Sequence, residues 1–199
     1  MATGNLTLNE EKIEVRRRAL TSSVAMSIVM VSFAMVFATL MLGYFAYRFT
    51  SEVWPPMGMQ RVDLGLPTVS TVLILLSSLT YFLSESSFLQ KNSKKFKAYF
   101  WLTFALGIVF MAVQSWLWFS LKKNGLFVGS GVFASMIYGF TWIHAAHVVG
   151  GIVALLCLIP SVRNKREEVS TSLWLKNIGM YWHFLGIVWV IMYFSLFVY

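Results

Sequence analysis

The sequence predicts an all-α integral membrane protein: a bundle of five transmembrane helices with its N-terminus in the cytoplasm and its C-terminus on the outer face. Three observations lead there. Of the 199 residues, 58% are hydrophobic and only 12% are charged, more apolar surface than a soluble domain of this size hides from water. That apolar mass falls into five long runs, at about 22–47, 68–88, 98–121, 131–159 and 178–198, each meeting the ~20 residues a helix needs to cross the hydrocarbon core. The basic residues lie between the runs and favour alternate loops, which orients the bundle. In hydrocarbon a continuous helix is the only open-ended form that satisfies its own backbone.

The chain divides into a polar tail, 1–20, and a membrane domain, 21–199. The tail ends in Arg16-Arg17-Arg18 and lacks the small-residue cleavage site of a removable signal peptide. With Lys12 it begins a set of basic residues continued by Lys91, Lys94, Lys95 and Lys97 in the second connection. Arg163, Lys165, Arg166 and Lys176 in the fourth complete it. Arg48, Arg61, Lys122 and Lys123 fall on the other side. Twelve against four places the tail inside. The net charge of +8 is thus a membrane-face pattern that suits anionic lipid headgroups, and no nucleic acid is expected as a partner. One cysteine, Cys157, sits within the fourth run and excludes a disulfide framework or a cysteine metal cage.

Between the first two runs lies the one connection long enough to have a shape of its own, Arg48–Pro67, with Trp54-Pro55-Pro56. Its prolines stiffen the backbone and Trp54 suits the headgroup layer. The other connections are short, so sequential helices are expected to be antiparallel neighbours. The second run is rich in hydroxyls, Ser70, Thr71, Ser77, Ser78 and Thr80, expected to bond their own helix or the next one. The third carries Gln114, an amide that must face protein in order to find a partner.

The fourth run reads Thr141-Trp-Ile-His144-Ala-Ala-His147-Val-Val-Gly-Gly151. Its two histidines are three apart, on one helical face. Ala146, Gly150 and Ala154 recur every four residues as a ridge that another helix could approach closely. Two occupied faces make this the expected central helix. The fifth run holds Tyr181-Trp182-His183-Phe184, with Trp189 beyond.

All eight acidic residues lie in the tail or loops, or at a helix end in the case of Glu85. No carboxylate sits mid-span, so the chain offers no acidic proton relay. The histidines admit two readings. His144 or His147 with His183 could hold a haem between two helices, making the chain a membrane cytochrome. Alternatively they are buried and bonded to protein or to lipid headgroups. Depth favours the second, since at ~1.5 Å per residue His183 stands some 10 Å or more from His144 along the membrane normal. No inverted repeat or broken helix suggests a transporter.

Several stretches, in order and at fitting separations, resemble subunit III of the haem-copper terminal oxidases. Thr141, His144, His147 and Val148, with Gly151 beyond, are similar to that family's Thr-x-x-His-x-x-His-Val segment. Tyr181-Trp182-His183-Phe184 with Val188-Trp189 resembles its Tyr-Trp-His-Phe-x-x-x-Val-Trp ending. Thr71 through Ser77-Ser78 and Trp54-Pro55-Pro56 are similar to two further family segments.

The resemblance implies the short five-helix form of a bacterial inner-membrane subunit in a proton-pumping oxidase that reduces oxygen to water. Such a subunit has no catalytic residue and binds neither haem nor copper, which belong to partner subunits. It packs on subunit I beside subunit II and any further respiratory subunits, binds phospholipid among the membrane lipids, and sustains proton uptake. Related chains also accompany nitric oxide reductases. The sequence departs from the family where acids are common: Phe33, Gln114, Leu117 and Gly186 stand at or near such positions, and Trp142 and Ala145 replace glycines.

Overall fold

The computed structural model describes residues 2–52, 62–163 and 168–198, with side chains over 13–52, 62–160 and 171–198. Trp54 and Pro55 lie outside the described residues. Five helices account for nearly all of the rest: α1 (Ala2–Thr50), α2 (Gly65–Leu89), α3 (Ser93–Lys123), α4 (Val132–Arg163) and α5 (Glu168–Tyr193). The last turn, Phe194–Val198, widens to a π-helix. There is no strand among the described residues. Each helix is long and apolar enough to cross a membrane.

The helix ends follow local chemistry. α1 runs back through the polar tail to Ala2, and Glu14 and Arg18, one turn apart, pair on its exposed surface. Between α2 and α3 the chain reverses within three residues. Lys91 takes a left-handed conformation (φ 57°), and the Asn92 carboxamide oxygen accepts the Lys95 amide at 3.2 Å to cap α3. α3 ends on Gly125 (φ 81°), with the Leu126 amide reaching back to the Leu121 carbonyl at 3.0 Å. That is the glycine-closed helix end in which only glycine is unstrained.

α2, α3, α4 and α5 close a ring in which each packs on the next and α5 returns to α2, while α1 lies outside against α5 and α4. α1 and α5 run parallel. Asn177 bonds Ser22 near one end, and the Tyr44 hydroxyl donates to the Ser195 carbonyl at 2.9 Å near the other. The first of these ends, where α3 and α5 also begin, is the basic end of the bundle, with Lys94, Lys95, Lys97 and Lys176.

Two expectations change here. Sequential helices are neighbours for α2–α3, α3–α4 and α4–α5, but α1 sets itself mainly on α5 and α4 instead of α2. α4 is central in its packing, on α1, α3 and α5, as α5 is on α1, α2 and α4, but its expected second occupied face is open: it turns Trp142, Val149 and Val153 outward. The ridge follows that outer face: Ala146 and Gly150 are exposed and Ala154 is half-buried. Among the described side chains of α1, only Phe37 and Tyr44 are buried.

Candidate functional site

The residues singled out from the sequence collect where α5 meets α2 and α4. An indole has one donor and no acceptor, and in hydrocarbon that donor must find a partner within the protein. The Trp182 Nε1–H donates to Ser77 Oγ on α2 at 3.0 Å. Two turns on, Trp189 Nε1–H donates to Thr71 Oγ1 at 3.0 Å. The Tyr181 hydroxyl donates to the His147 carbonyl on α4 at 2.9 Å. His183 Nδ1 and Ser78 Oγ share a hydrogen bond.

The hydroxyls of α2 therefore act mostly between helices. Ser77 also donates to the Thr103 carbonyl at 3.3 Å, and the Thr80 and Thr103 hydroxyls meet at 2.8 Å. Small residues let the large ones in. A Cβ on Gly151 would stand 2.9 Å from the Trp182 ring, and one on Gly107 3.1 Å from it. Trp182 is thus wedged between α3 and α4 while tethered to α2.

Nearer the opposite end, Trp118 Nε1–H donates to Thr141 Oγ1 at 3.0 Å, and the Thr141 hydroxyl donates to the Ile137 carbonyl at 2.8 Å. Gln114 is fully buried, and its amide nitrogen donates to Ser70 Oγ at 2.9 Å. The amide faces protein as its chemistry requires. Ser70→Ala is expected to cost about 1–2 kcal/mol by orphaning that donor, read as a lower thermal midpoint, with Ser70→Thr restoring most of it.

The histidines part company. His147 Nδ1–H donates to the Ile143 carbonyl one turn back at 2.6 Å. Phe33 on α1 stands edge-on to its ring, centroids 4.2 Å apart. His144 is 0% exposed, enclosed by Trp189 at 5.1 Å, Phe110 at 6.0 Å and Phe37 at 6.2 Å between centroids. Neither of its ring nitrogens has a hydrogen-bond partner among the described residues. The expectation that each buried histidine bonds protein or a headgroup therefore fails for His144. No headgroup reaches a side chain with no exposed surface.

His183 lies on the α2–α5 seam, its ring centroid 6.0 Å from that of Tyr81. Trp189, which packs on His144, is six residues further along α5, about 9 Å in depth. The structure does not bring the three imidazoles together. Among the described residues no three His, Cys, Asp or Glu side chains converge as a metal site.

Sequence reasoning missed several tethers. Tyr44 is fully buried and reaches Ser195. The Tyr81 hydroxyl donates to the Leu175 carbonyl at 2.7 Å, over Gly179, where a Cβ would fall 2.7 Å from the Tyr81 ring. A signal existed: Tyr81 lies one turn from Ser77 and Ser84, on the polar face of α2.

The profile of the family described as cytochrome c oxidase subunit III matches residues 9–199. The chain belongs to that family. Curated subunit III sequences agree with this. The chain is 28% identical to the cytochrome c oxidase subunit 3 of a Synechocystis species, over 79% of this chain and 67% of that one. It is 27% identical to that of Thermostichus vulcanus, over 86% of this chain and 84% of the relative. For Alkalihalophilus pseudofirmus the figures are 28%, 69% and 68%. As a multi-pass subunit III, the chain belongs with an oxidase. Its departures from the family now have surroundings: Phe33 fills the space against His147 with a ring, and Leu117 is buried among Phe133, Ala134, Ile137 and Tyr138.

Proposed function

We propose that this subunit III is the electron-inert brace of a proton-pumping haem-copper oxidase in a bacterial cytoplasmic membrane. It packs on subunit I beside subunit II, steadies the proton-uptake side of subunit I and holds phospholipid. The observation that carries this reading is where the motif residues spend their chemistry. Thr71, Ser77, Ser78, Thr141, Tyr181, Trp182, His183 and Trp189 bond other side chains or backbone of this same chain, and Gly151 admits Trp182. Such residues set the shape of a bundle and leave its surface to neighbours.

That surface supports the reading. α1 exposes most of its length, and the Ala146–Gly150 ridge faces outward, which favours close approach by a helix of subunit I. The distribution of basic residues favours the basic end in the cytoplasm, where its lysines attract anionic headgroups.

Gentle purification of the chain from its native membrane tests the proposal. A partner carrying haem and copper is expected with it, and the complex lacking this chain is expected to lose oxygen-reducing activity progressively during turnover. Recovery of the chain without a haem-copper partner would refute the proposal, as would iron or copper bound to its own side chains.

A further inference from the structure

We propose that the ring formed by α2, α3, α4 and α5 encloses bound water beside His144, held between its imidazole and the Gln114 amide oxygen. Three buried atoms call for it: Gln114 Oε1, His144 Nδ1 and His144 Nε2 each lack a hydrogen-bond partner among the described residues. Both side chains are 0% exposed. A neutral imidazole carries one N–H donor and one lone-pair acceptor. Leaving such groups bare in a protein interior costs roughly 1–3 kcal/mol apiece. Turning the Gln114 amide over does not help, because it exchanges an orphaned oxygen for an orphaned NH2 group.

The helix registers bring these atoms to one layer. Trp118 bonds Thr141, which pins α3 to α4. One turn toward the basic end, α3 presents Gln114 and α4 presents His144, since the two helices run in opposite directions. Phe110, a further turn along α3, packs on His144, so the imidazole sits between the levels of Phe110 and Gln114. Trp189 of α5 covers both His144 and Phe110, and its Nε1–H goes to Thr71. The neighbouring residue, Ser70, takes the Gln114 amide. Three helices thus deliver Ser70, Thr71, Gln114, Thr141 and His144 to a polar layer within an apolar core, and Trp189 of α5 closes it.

The occupant must be small, because nothing of either side chain reaches the surface. It must also donate and accept. Contacts from the rings of Phe37, Phe110 and Trp189 are second-order and do not replace a hydrogen bond. A metal would want further ligands than one imidazole. Water meets both conditions, and buried water typically makes about three bonds to otherwise unpaired groups. One molecule donates to Gln114 Oε1 and accepts the imidazole N–H. The other ring nitrogen, a lone-pair acceptor, takes the proton of a second.

The test uses the intact complex in lipid bilayers, with nitrogen-labelled histidine and solid-state magnetic resonance that transfers magnetisation from water to nearby nitrogen. The chain has three histidines, so His144→Phe, His147→Phe and His183→Phe assign its ring signals. His144 is expected to receive water magnetisation despite its burial. Gln114→Leu, which removes one anchor, is expected to reduce that transfer at least twofold and leave the His183 signal unchanged. Absence of transfer to His144 in the wild-type complex overturns the proposal, a result that needs no variant to fold. Undiminished transfer in a folded Gln114→Leu variant overturns the bridge.

Discussion

Trp182→Ala is expected to cost the bundle about 3 kcal/mol, the lower end of the range for truncating a large buried aromatic. The lower end applies because lipid solvates an exposed indole, so the loss is of packing and not of transfer out of water. Trp182 is 1% exposed. It fills the space between Gly107 of α3 and Gly151 of α4 while its indole N–H holds Ser77 of α2. Removing it opens a cavity where four helices meet. For a chain of this size the thermal midpoint should fall by roughly 6–12 °C, measured as release of this subunit from the detergent-solubilised complex. Trp182→Phe should recover much of the packing, and its remaining deficit reports the lost indole bond. A midpoint unchanged in Trp182→Ala would show that the ring of helices does not depend on this contact.

Two adjacent glycines should respond in opposite ways to the addition of a side chain. Gly151→Val places a branched Cβ where even a single carbon would stand 2.9 Å from the Trp182 ring and 3.3 Å from Tyr181. Neither ring can swing aside without breaking its bond to Ser77 or to the His147 carbonyl. Overpacking of this kind costs about 1–3 kcal/mol or more, and the yield of assembled complex should drop several-fold. Gly150→Ala meets only the Tyr181 hydroxyl, at 3.7 Å. It should be neutral to mildly stabilising within the chain, by up to about 1 kcal/mol from helix propensity. Any loss of complex assembly in Gly150→Ala, with the chain itself intact, would then mark the exposed ridge as a contact with a neighbouring subunit. Equal tolerance at both positions would contradict the packing described.

The candidate site was legible in part. The spacing of Thr71, Ser77 and Ser78 marked a polar face on α2, and the physics of lipid required that Gln114 and the indoles find partners. Which partner each would take was not legible, because that depends on helix rotation and depth. Phe33, a residue that in sequence marks only a missing acid, proves to be the ring against His147. Tyr44 gave little sign in the sequence, and Tyr81 only its place on the polar face of α2, of the carbonyls they reach on Ser195 and Leu175.

By itself the sequence determined the number of membrane-length helices among the described residues, because crossing a hydrocarbon layer imposes a length and a continuous run of apolar residues. It also marked the family, through short segments whose residue types recur in order. Only the tertiary structure decided that α1 lies against α5 and α4, that the fourth helix leaves its small-residue ridge open, and that His147 is bonded while His144 is enclosed with no partner for either nitrogen among the described residues. The physical reason is that lipid and protein interior are equally apolar. Hydropathy therefore does not say which face of a membrane helix meets which. That choice falls to small residues, ring shapes and single hydrogen bonds, whose partners lie far apart along the chain.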